Sequence, residues 1–588
     1  MYLKILAFDL DGTLTESDNV SEYVKAMLSK VKNGGFVVLL VTGRRLKAIP
    51  DITFFEHICE TIIAENGAVL YFPNNNTVSL PFGELAVDVK KQLLDLKIPL
   101  EVGMAIVATW TPHDREVIEV LTKTGYAASV EYNKGAVMIL PPGASKGTGL
   151  RIALHDLGYS PHNLIAFGDA QNDRSLFEQA ELSVAVANAS SEIKELANIT
   201  LTKPNGTGIY DFLEGLLEDR IPLHRTKPRL QLSFGKRNDK PFYLDSVSLL
   251  NGNVGFAGST RSGKSWLAGL LVEQLLKAEY QVCLIDPEGD YHGIRAFPQT
   301  ILLGGTNDHI LPVGDVITLI EYSNLSVIVD LSQCPIERKL GYVEDLLQTL
   351  YSMRKKHGKP HWILVDEAQY FCPENGGNLT ELIANNLKGG GMGLISYQLS
   401  QIAPVVLDAI NHWMITSLKD PSEMELLKSA MNKTAEPVDD KKIESLVSGQ
   451  AFVAMDNASL VEEIEPGVVE YSRIRRMMPH VRHLHKYLRA PLPESKRFYF
   501  HLNGSAKGVK PAASLWEFSE ILSHLPIDTI QYHLKNEDFE RWLTGTMHDW
   551  ELAKRIRKLT KRDMPGEKRR QELSELVKAR FVELEQLI

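Results

Sequence analysis

Two groups of residues in this 588-residue chain have the types and spacing for phosphate chemistry. Gly258-Ser-Thr-Arg-Ser-Gly263-Lys264-Ser265 fits G-x-x-x-x-G-K-[ST]. The glycines let backbone N–H groups curl around a phosphate, Lys264 is placed to reach β- and γ-phosphates, and the Ser265 hydroxyl can hold Mg²⁺. Far upstream, Asp9-Leu-Asp11-Gly12-Thr13 sets two carboxylates close together before a glycine turn. Crowded carboxylates repel one another unless a cation neutralises them, so the pair reads either as a metal-assisted nucleophile or as an acidic loop at a strand end.

The elements around Asp9 favour the first reading. Leu3 to Phe8 reads as a strand running into Asp9. Val37 to Val41 is a second strand, ending in Thr42-Gly43-Arg44, and Lys146 sits in Ala-Ser-Lys-Gly just before a helix. Leu164 to Phe167 is a third strand, ending in Gly168-Asp169-Ala-Gln-Asn172-Asp173. In an open α/β sheet such strand ends converge on one crevice. With these elements in order, residues 1–218 resemble the haloacid dehalogenase (HAD) superfamily, specifically its Cof-like phosphatases. Glu65-Asn66-Gly67-Ala68 and Val184-Ala-Val-Ala-Asn188-Ala fit the same subfamily. The resemblance implies a Rossmann-like core with a small α/β cap at about 82–140. It implies that Asp9 is the phosphoryl-accepting nucleophile and Asp11 the general acid/base, with Thr42 and Lys146 binding the phosphoryl group. Asp9, Asp11, Asp169 and Asp173 would form the Mg²⁺ site. A short cap suits small phosphorylated metabolites or chain ends better than bulky protein substrates.

The second group has its own scaffold. Asn253 to Ala257 reads as the strand before the glycine loop, and Trp266 onward carries apolar residues at helical spacing. Trp362 to Val365 runs into Asp366-Glu367, and Gly393 to Gln398 is a strand ending in an amide. Asp366 would belong to the Mg²⁺ shell, Glu367 would polarise the attacking water, and Gln398 would sense the γ-phosphate of ATP. Ile285-Asp-Pro-Glu-Gly-Asp-Tyr, Val329-Asp-Leu-Ser, His361-Trp-Ile-Leu-Val-Asp-Glu-Ala and Gly449-Gln-Ala-Phe-Val-Ala resemble the HerA/FtsK motor ATPases, over residues 241–475. That resemblance implies a RecA-like core in a hexameric ring around duplex DNA, with an arginine from the neighbouring subunit completing each nucleotide site. Arg473, Arg475 and Arg476 are the candidates, and the sequence does not separate them. Two departures bear on DNA translocation rather than on ATP binding. Arg261 stands where the family usually has glycine, and the phosphatase-like region replaces the β-barrel that normally precedes the motor.

Residues 219–240 hold seven Lys/Arg and two prolines, with Pro241 just after them, and read as a basic linker or a basic collar near a nucleic-acid path. Residues 476–512 read as a basic connecting segment and 513–588 as a helical domain without a chemical motif. His480, His483 and His485 have no carboxylate or cysteine partner nearby and read as solvated or phosphate-facing. The net charge of −10 gives no global signal for nucleic acid. Four dispersed cysteines argue against zinc and disulfides. The amino terminus reads as a strand, no window has the ~20 apolar residues of a membrane span, and a cytoplasmic protein is expected. The expected fold is multidomain α/β with a helical C-terminal region. The expected function is a Mg²⁺-dependent phosphatase joined to a ring-forming ATPase acting on DNA. The alternative is a metabolite phosphatase whose ATPase module regulates or assembles it.

Overall fold

The computed structural model describes residues 2–16, 19–133, 135–218, 230–260, 262–305, 310–322, 324–431, 440–456, 465–471, 488, 492, 497–501, 511–547 and 549–585. The first sheet begins with β1 (Ile5–Asp9), β2 (Val37–Val41), β3 (Cys59–Ala64), β4 (Val69–Phe72) and β5 (Thr77–Ser79). A small separate sheet follows, made of β6 (Glu101–Val102), β7 (Val107–Trp110), β8 (Ser129–Asn133) and β9 (Ala136–Leu140). The chain then returns to the first sheet with β10 (Leu164–Gly168), β11 (Leu182–Ala185) and β12 (Ile199–Thr200). Among the described residues the first sheet has the order β12-β11-β10-β1-β2-β3-β4-β5. Strands β1, β2, β3, β10, β11 and β12 are parallel. Every residue of β1 and β10 is buried, as expected of parallel strands covered on both faces and built from unbroken apolar runs.

The helix Lys146–Asp156 opens with a capping box, in which the Ser145 Oγ accepts from the Thr148 N–H at 3.1 Å. It lies flush on the Glu65–Gly67 turn, where Gly67 has φ +91° and a Cβ on Gly149 would come within 2.4 Å of the Gly67 Cα. Only glycine permits that approach, and the approach fixes where Lys146 points.

The small sheet has the order β6-β7-β9-β8, all antiparallel. One face carries Val107 and Ile139, which pack with Val89 and Leu93 of the helix Val87–Asp95 and Val117 of the helix Asp114–Thr124. The other face carries Met138 and Leu140, which join the large core. It is tied down by Glu65, whose carboxylate accepts the backbone N–H groups of Met104, Ala105 and Ile106 at 2.9, 2.9 and 3.1 Å.

The remaining strands are β13 (Gln231–Arg237), β14 (Lys240–Asp245), β15 (Asn253–Ala257), β16 (Val282–Asp286), β17 (Thr300–Gly304), β18 (Ser326–Asp330), β19 (Trp362–Val365), β20 (Met392–Ile395), β21 (His412–Ile415), β22 (Gln450–Ala454) and β23 (Gly467–Glu470). Among the described residues they form one sheet, β14-β13-β23-β22-β21-β15-β20-β19-β16-β18-β17. From β21 to β17 it is parallel, and from β14 to β22 it is antiparallel. The segment 219–240 is therefore not a linker throughout, because residues 231–240 enter the β13–β14 hairpin on the sheet edge.

The C-terminal helices, from Leu515–Leu522 to Gly566–Glu585, enclose a separate core around Phe518, Phe539, Leu552 and Val577. Leu488, Leu492 and Phe498 are buried in that core, so part of the expected connecting segment belongs to it. Among the described residues no helix is long and apolar enough to cross a membrane.

The two large sheets dock at the amino-terminal ends of their strands. Tyr2, His162 and Glu181 precede β1, β10 and β11, while Ala278, Tyr280 and His361 precede β16 and β19. The Glu181 carboxylate accepts from the Tyr2 hydroxyl at 2.8 Å and the Tyr280 hydroxyl at 2.6 Å. His162 lies 2.7 Å from Glu181 and 2.8 Å from the Ala278 carbonyl and stacks on Tyr280, while Asn163 donates to the Gly358 carbonyl at 3.1 Å.

Candidate functional site

At the carboxyl ends of β1 and β10 the structure brings Asp9, Asp169 and Asp173 together, with ligand atoms all within 4.8 Å of one another and all three residues buried. The Lys146 Nζ bridges two of them, at 2.6 Å from Asp9 and 2.7 Å from Asp173. The Asp173 Oδ2 also accepts the N–H groups of Asp169 and Ala170, both at 2.9 Å, which locks its orientation. Burial, then the Asp173 carboxylate, pushes the Asp9 carboxyl up to about 8 against the pull of Lys146. Burial alone would lower the Lys146 ammonium, but Asp173 and Asp9 outweigh it and hold it well above its usual value. Three buried carboxylates against one ammonium leave a deficit of positive charge, and an all-oxygen set of this kind suits a hard divalent cation such as Mg²⁺.

Asp11 stands apart from that group, although it was expected among the metal ligands. Its carboxylate is held by the Arg44 guanidinium, with Nε 2.9 Å and Nη2 2.6 Å away, at the mouth of the crevice. Thr42 is buried where β2 ends, and its Oγ1 accepts from the Arg44 N–H at 3.1 Å. Asn188 reaches the same loop, donating to the Gly12 carbonyl at 2.8 Å.

In the second sheet β20 lies between β15, which leads into the glycine loop, and β19, which leads into Asp366-Glu367. That order gathers the loop, the acid pair and the end of β20 on one edge. Gly258 and Gly263 have φ +149° and +103°, which the loop's curl requires. The Lys264 ammonium donates to the Gly258 and Ser259 carbonyls at 2.8 and 2.9 Å, and Ser265 lies on the first turn of the helix Lys264–Lys277. Burial lowers the Lys264 ammonium to about 8, opposed by Glu367 and Asp366. Burial and then the Glu367 carboxylate raise Asp366 well above the usual carboxylate range. Glu367 itself sits in the left-handed region at φ +47°, a conformation that side chains other than glycine rarely hold. Gln369 donates to the Glu367 carboxylate and accepts from the Ser396 hydroxyl at 2.9 Å, while Ser396 accepts the Gln398 N–H at 3.1 Å. The Gln398 side chain accepts from Gln401.

Arg473, Arg475, Arg476, the three histidines and Arg261 lie outside the described residues. Tyr471, the last described residue before the arginines, packs on Trp266 just after the glycine loop, with ring centroids 5.1 Å apart. Sequence reasoning gave no role to Arg44 or Gln369, nor to Glu65 as the clamp on the small sheet. Gln369 had a signal, being two positions after the acid pair. Arg44 and Glu65 act on residues 33 and about 40 positions away, beyond any local pattern.

The chain matches the family of haloacid dehalogenase-like hydrolases over residues 6–97 and 108–213, and the central domain of the helicase HerA over residues 232–358. It is 33% identical to phosphoglycolate phosphatase 2 of Saccharolobus solfataricus over 36% of this chain and 92% of that protein. It is 32% identical to the phosphoglycolate phosphatase of Sulfurisphaera tokodaii over 36% of this chain and 93% of that one. The crystal structure of Thermoplasma acidophilum 0175 matches 37% of this chain and 98% of its own, at 17% identity and a TM-score of 0.33. Through residues 6–213 the chain belongs to the haloacid dehalogenase-like hydrolases, and this hydrolase is fused to a HerA-type ATPase domain.

Proposed function

We propose that the amino-terminal region is a Mg²⁺-dependent phosphomonoesterase that works through an aspartyl-phosphate. The observation that carries this reading is the buried Asp9–Lys146–Asp173 bridge beside Asp169. Asp9 attacks phosphorus and the phosphoester bond to the alcohol breaks, while Asp11 gives the departing oxygen its proton. A water then attacks the phosphorus of the aspartyl-phosphate, Asp11 takes its proton, and phosphate leaves with Asp9 restored. Lys146 and Thr42 hold the transferred group, with Lys146 offsetting its charge. Asp9, Asp169 and Asp173 would hold Mg²⁺, which supplies further positive charge to the phosphoryl oxygens. The named relatives make 2-phosphoglycolate the first compound to assay. Mg²⁺-dependent release of phosphate from it, abolished by EDTA, supports this reading, and full activity in EDTA would remove the metal site.

For residues 241–475 we propose ATP hydrolysis in a ring-forming, DNA-acting motor. Lys264 and Ser265 bind the phosphates and Mg²⁺ with Asp366, Glu367 activates water, Gln398 senses the γ-phosphate, and one of Arg473, Arg475 and Arg476 acts in trans. The match to the HerA central domain supports it. Steady-state ATP hydrolysis with and without linear duplex DNA, at two salt concentrations, tests it. Salt-sensitive stimulation is expected from contacts to the phosphate backbone. A rate indifferent to DNA favours the second reading, an ATPase that regulates or assembles a metabolite phosphatase, to which the relatives' small substrate also points.

A further inference from the structure

The register of the small sheet sets one row of residues across its inner face. Glu101 pairs with Ala108, Ala108 with Met138, and Met138 with Glu131. Directly opposed residues of antiparallel strands share a face. The row turns toward the catalytic sheet, since Met138 packs into its core and its sulfur accepts from the Asn66 amide at 3.1 Å. At one end of the row Glu101 is neutralised by Arg45 at 2.9 Å. At the other end Glu131 has no such partner among the described residues. Its Oε2 is buried without a hydrogen bond among the described residues, β8 packs on the Gln171–Asp173 turn, and the carboxyl feels the charges of Lys146 and Asp173.

The phosphoryl group of a substrate is fixed from below by Asp9 and Lys146. In-line displacement by Asp9 sends the leaving oxygen away from the sheet, so the alcohol portion extends toward the small sheet. On that row Ala108 offers no polar group, Met138 and Glu101 are engaged, and among the described residues Glu131 alone keeps free hydrogen-bonding capacity. Resting on the phosphatase reading above, we propose that Glu131 is the specificity-determining residue for the leaving group. It accepts a hydrogen bond from a hydroxyl on the alcohol portion and repels a carboxylate there. The favoured substrates are then hydroxyl-bearing phosphomonoesters, a class distinct from the one named for the relatives. An ionised carboxylate is acceptor-only, and its negative charge, close enough to feel Asp173, disfavours an anionic leaving group.

The test uses the full chain with Mg²⁺ and a matched pair of substrates, 2-hydroxyethyl phosphate and 2-phosphoglycolate, which differ only in CH₂OH against carboxylate. p-Nitrophenyl phosphate, without either group, is the control. Burial raises the Glu131 carboxyl to about 7, so assays at about pH 8.5 keep it ionised. Wild type is expected to favour the hydroxyl compound in kcat/KM by about tenfold or more, a single charged hydrogen bond's worth. Glu131→Gln should shrink that ratio by about tenfold through KM, leaving p-nitrophenyl phosphate turnover within about twofold. A preference for 2-phosphoglycolate in wild type overturns the proposal. So does a Glu131→Gln variant in which all three substrates change by one common factor, which marks a structural role. Failure of wild type to hydrolyse any of the three overturns the phosphatase reading itself, and this inference with it.

Discussion

Asp9 is where the reading of the first site is most exposed. Asp9→Asn keeps the shape and the Lys146 contact but removes the nucleophile, so phosphatase activity should fall by roughly 10⁴-fold or more. ATP hydrolysis should be unchanged, and equal loss of both activities would merge the two sites into one. Lys264 carries a pH signature of its own. Burial holds its ammonium at about 8, below the usual lysine value. Bound polyphosphate restores the proton, so above pH 8 binding must take up a proton that the empty site has already lost. Affinity for a non-hydrolysable ATP analogue should be flat below about pH 8 and weaken by up to tenfold per unit above it. Titration from pH 7 to 9.5 checks this, and constant affinity throughout would mean that Lys264 stays protonated in the empty loop. Asp9 and Lys264 stood out by type and spacing, while Lys146, Asp169 and Asp173 were picked out through the resemblance to the haloacid dehalogenase superfamily, and the structure gathers Asp9, Lys146, Asp169 and Asp173 in one place. The Asp11–Arg44 pairing was not, because it closes between two strand ends 33 residues apart.

Strand ends account for most of what the sequence disclosed at the next scale. Apolar runs ending in acids or in a glycine loop, such as Leu3 to Asp9 and Trp362 to Glu367, name both the strand and the site at its tip. The β13–β14 hairpin escaped because its Lys, Arg and Pro content looks like a linker. Yet Leu232 and Phe234 face inward, Gln231 and Ser233 face out, and Pro241 lies on edge strand β14, where a missing N–H costs little. The end of β20 also does more than present Gln398, since Ser396 holds Gln369, which holds Glu367. Glu367, at φ +47°, is thereby tied through Gln369 and Ser396 to the end of the strand that carries Gln398. Gln369→Ala should leave nucleotide binding within about twofold and cut turnover by roughly 10- to 100-fold, because Glu367 loses its orientation. Binding of a fluorescent nucleotide alongside single-turnover hydrolysis separates the two effects. Unchanged turnover would reduce Gln369 to a packing residue.

Docking of the two sheets by their amino-terminal ends turns their carboxyl ends, and so both sites, away from each other. Among the described residues the contacts between the two sheets, around Glu181 and between Asn163 and Gly358, lie at the end of each sheet opposite its site. No sequence pattern announces that contact, because Tyr2, His162, Glu181, Tyr280 and His361 come from five separate strand approaches and acquire partners only in the folded chain. Burial alone would raise the Glu181 carboxyl, but His162 and then the two tyrosine hydroxyls hold it below its ordinary value. A depressed carboxyl contributes stability above its ordinary pKa of 4.5 and loses it as pH falls through the folded value. The docked arrangement should therefore loosen in acid. At neutral pH, Glu181→Ala leaves His162 and two buried hydroxyls without their acceptor, at a cost of about 3–5 kcal/mol. Tyr280→Phe removes one donor and should cost only about 1 kcal/mol. Calorimetry of the wild type should show the two sheets melting in one transition, and Glu181→Ala should split it in two. Both activities of that variant at 25 °C should stay within about twofold of wild type, since each site lies at the far end of its own sheet. A single unshifted transition in Glu181→Ala would mean that the apolar part of the interface holds the sheets together without this carboxylate.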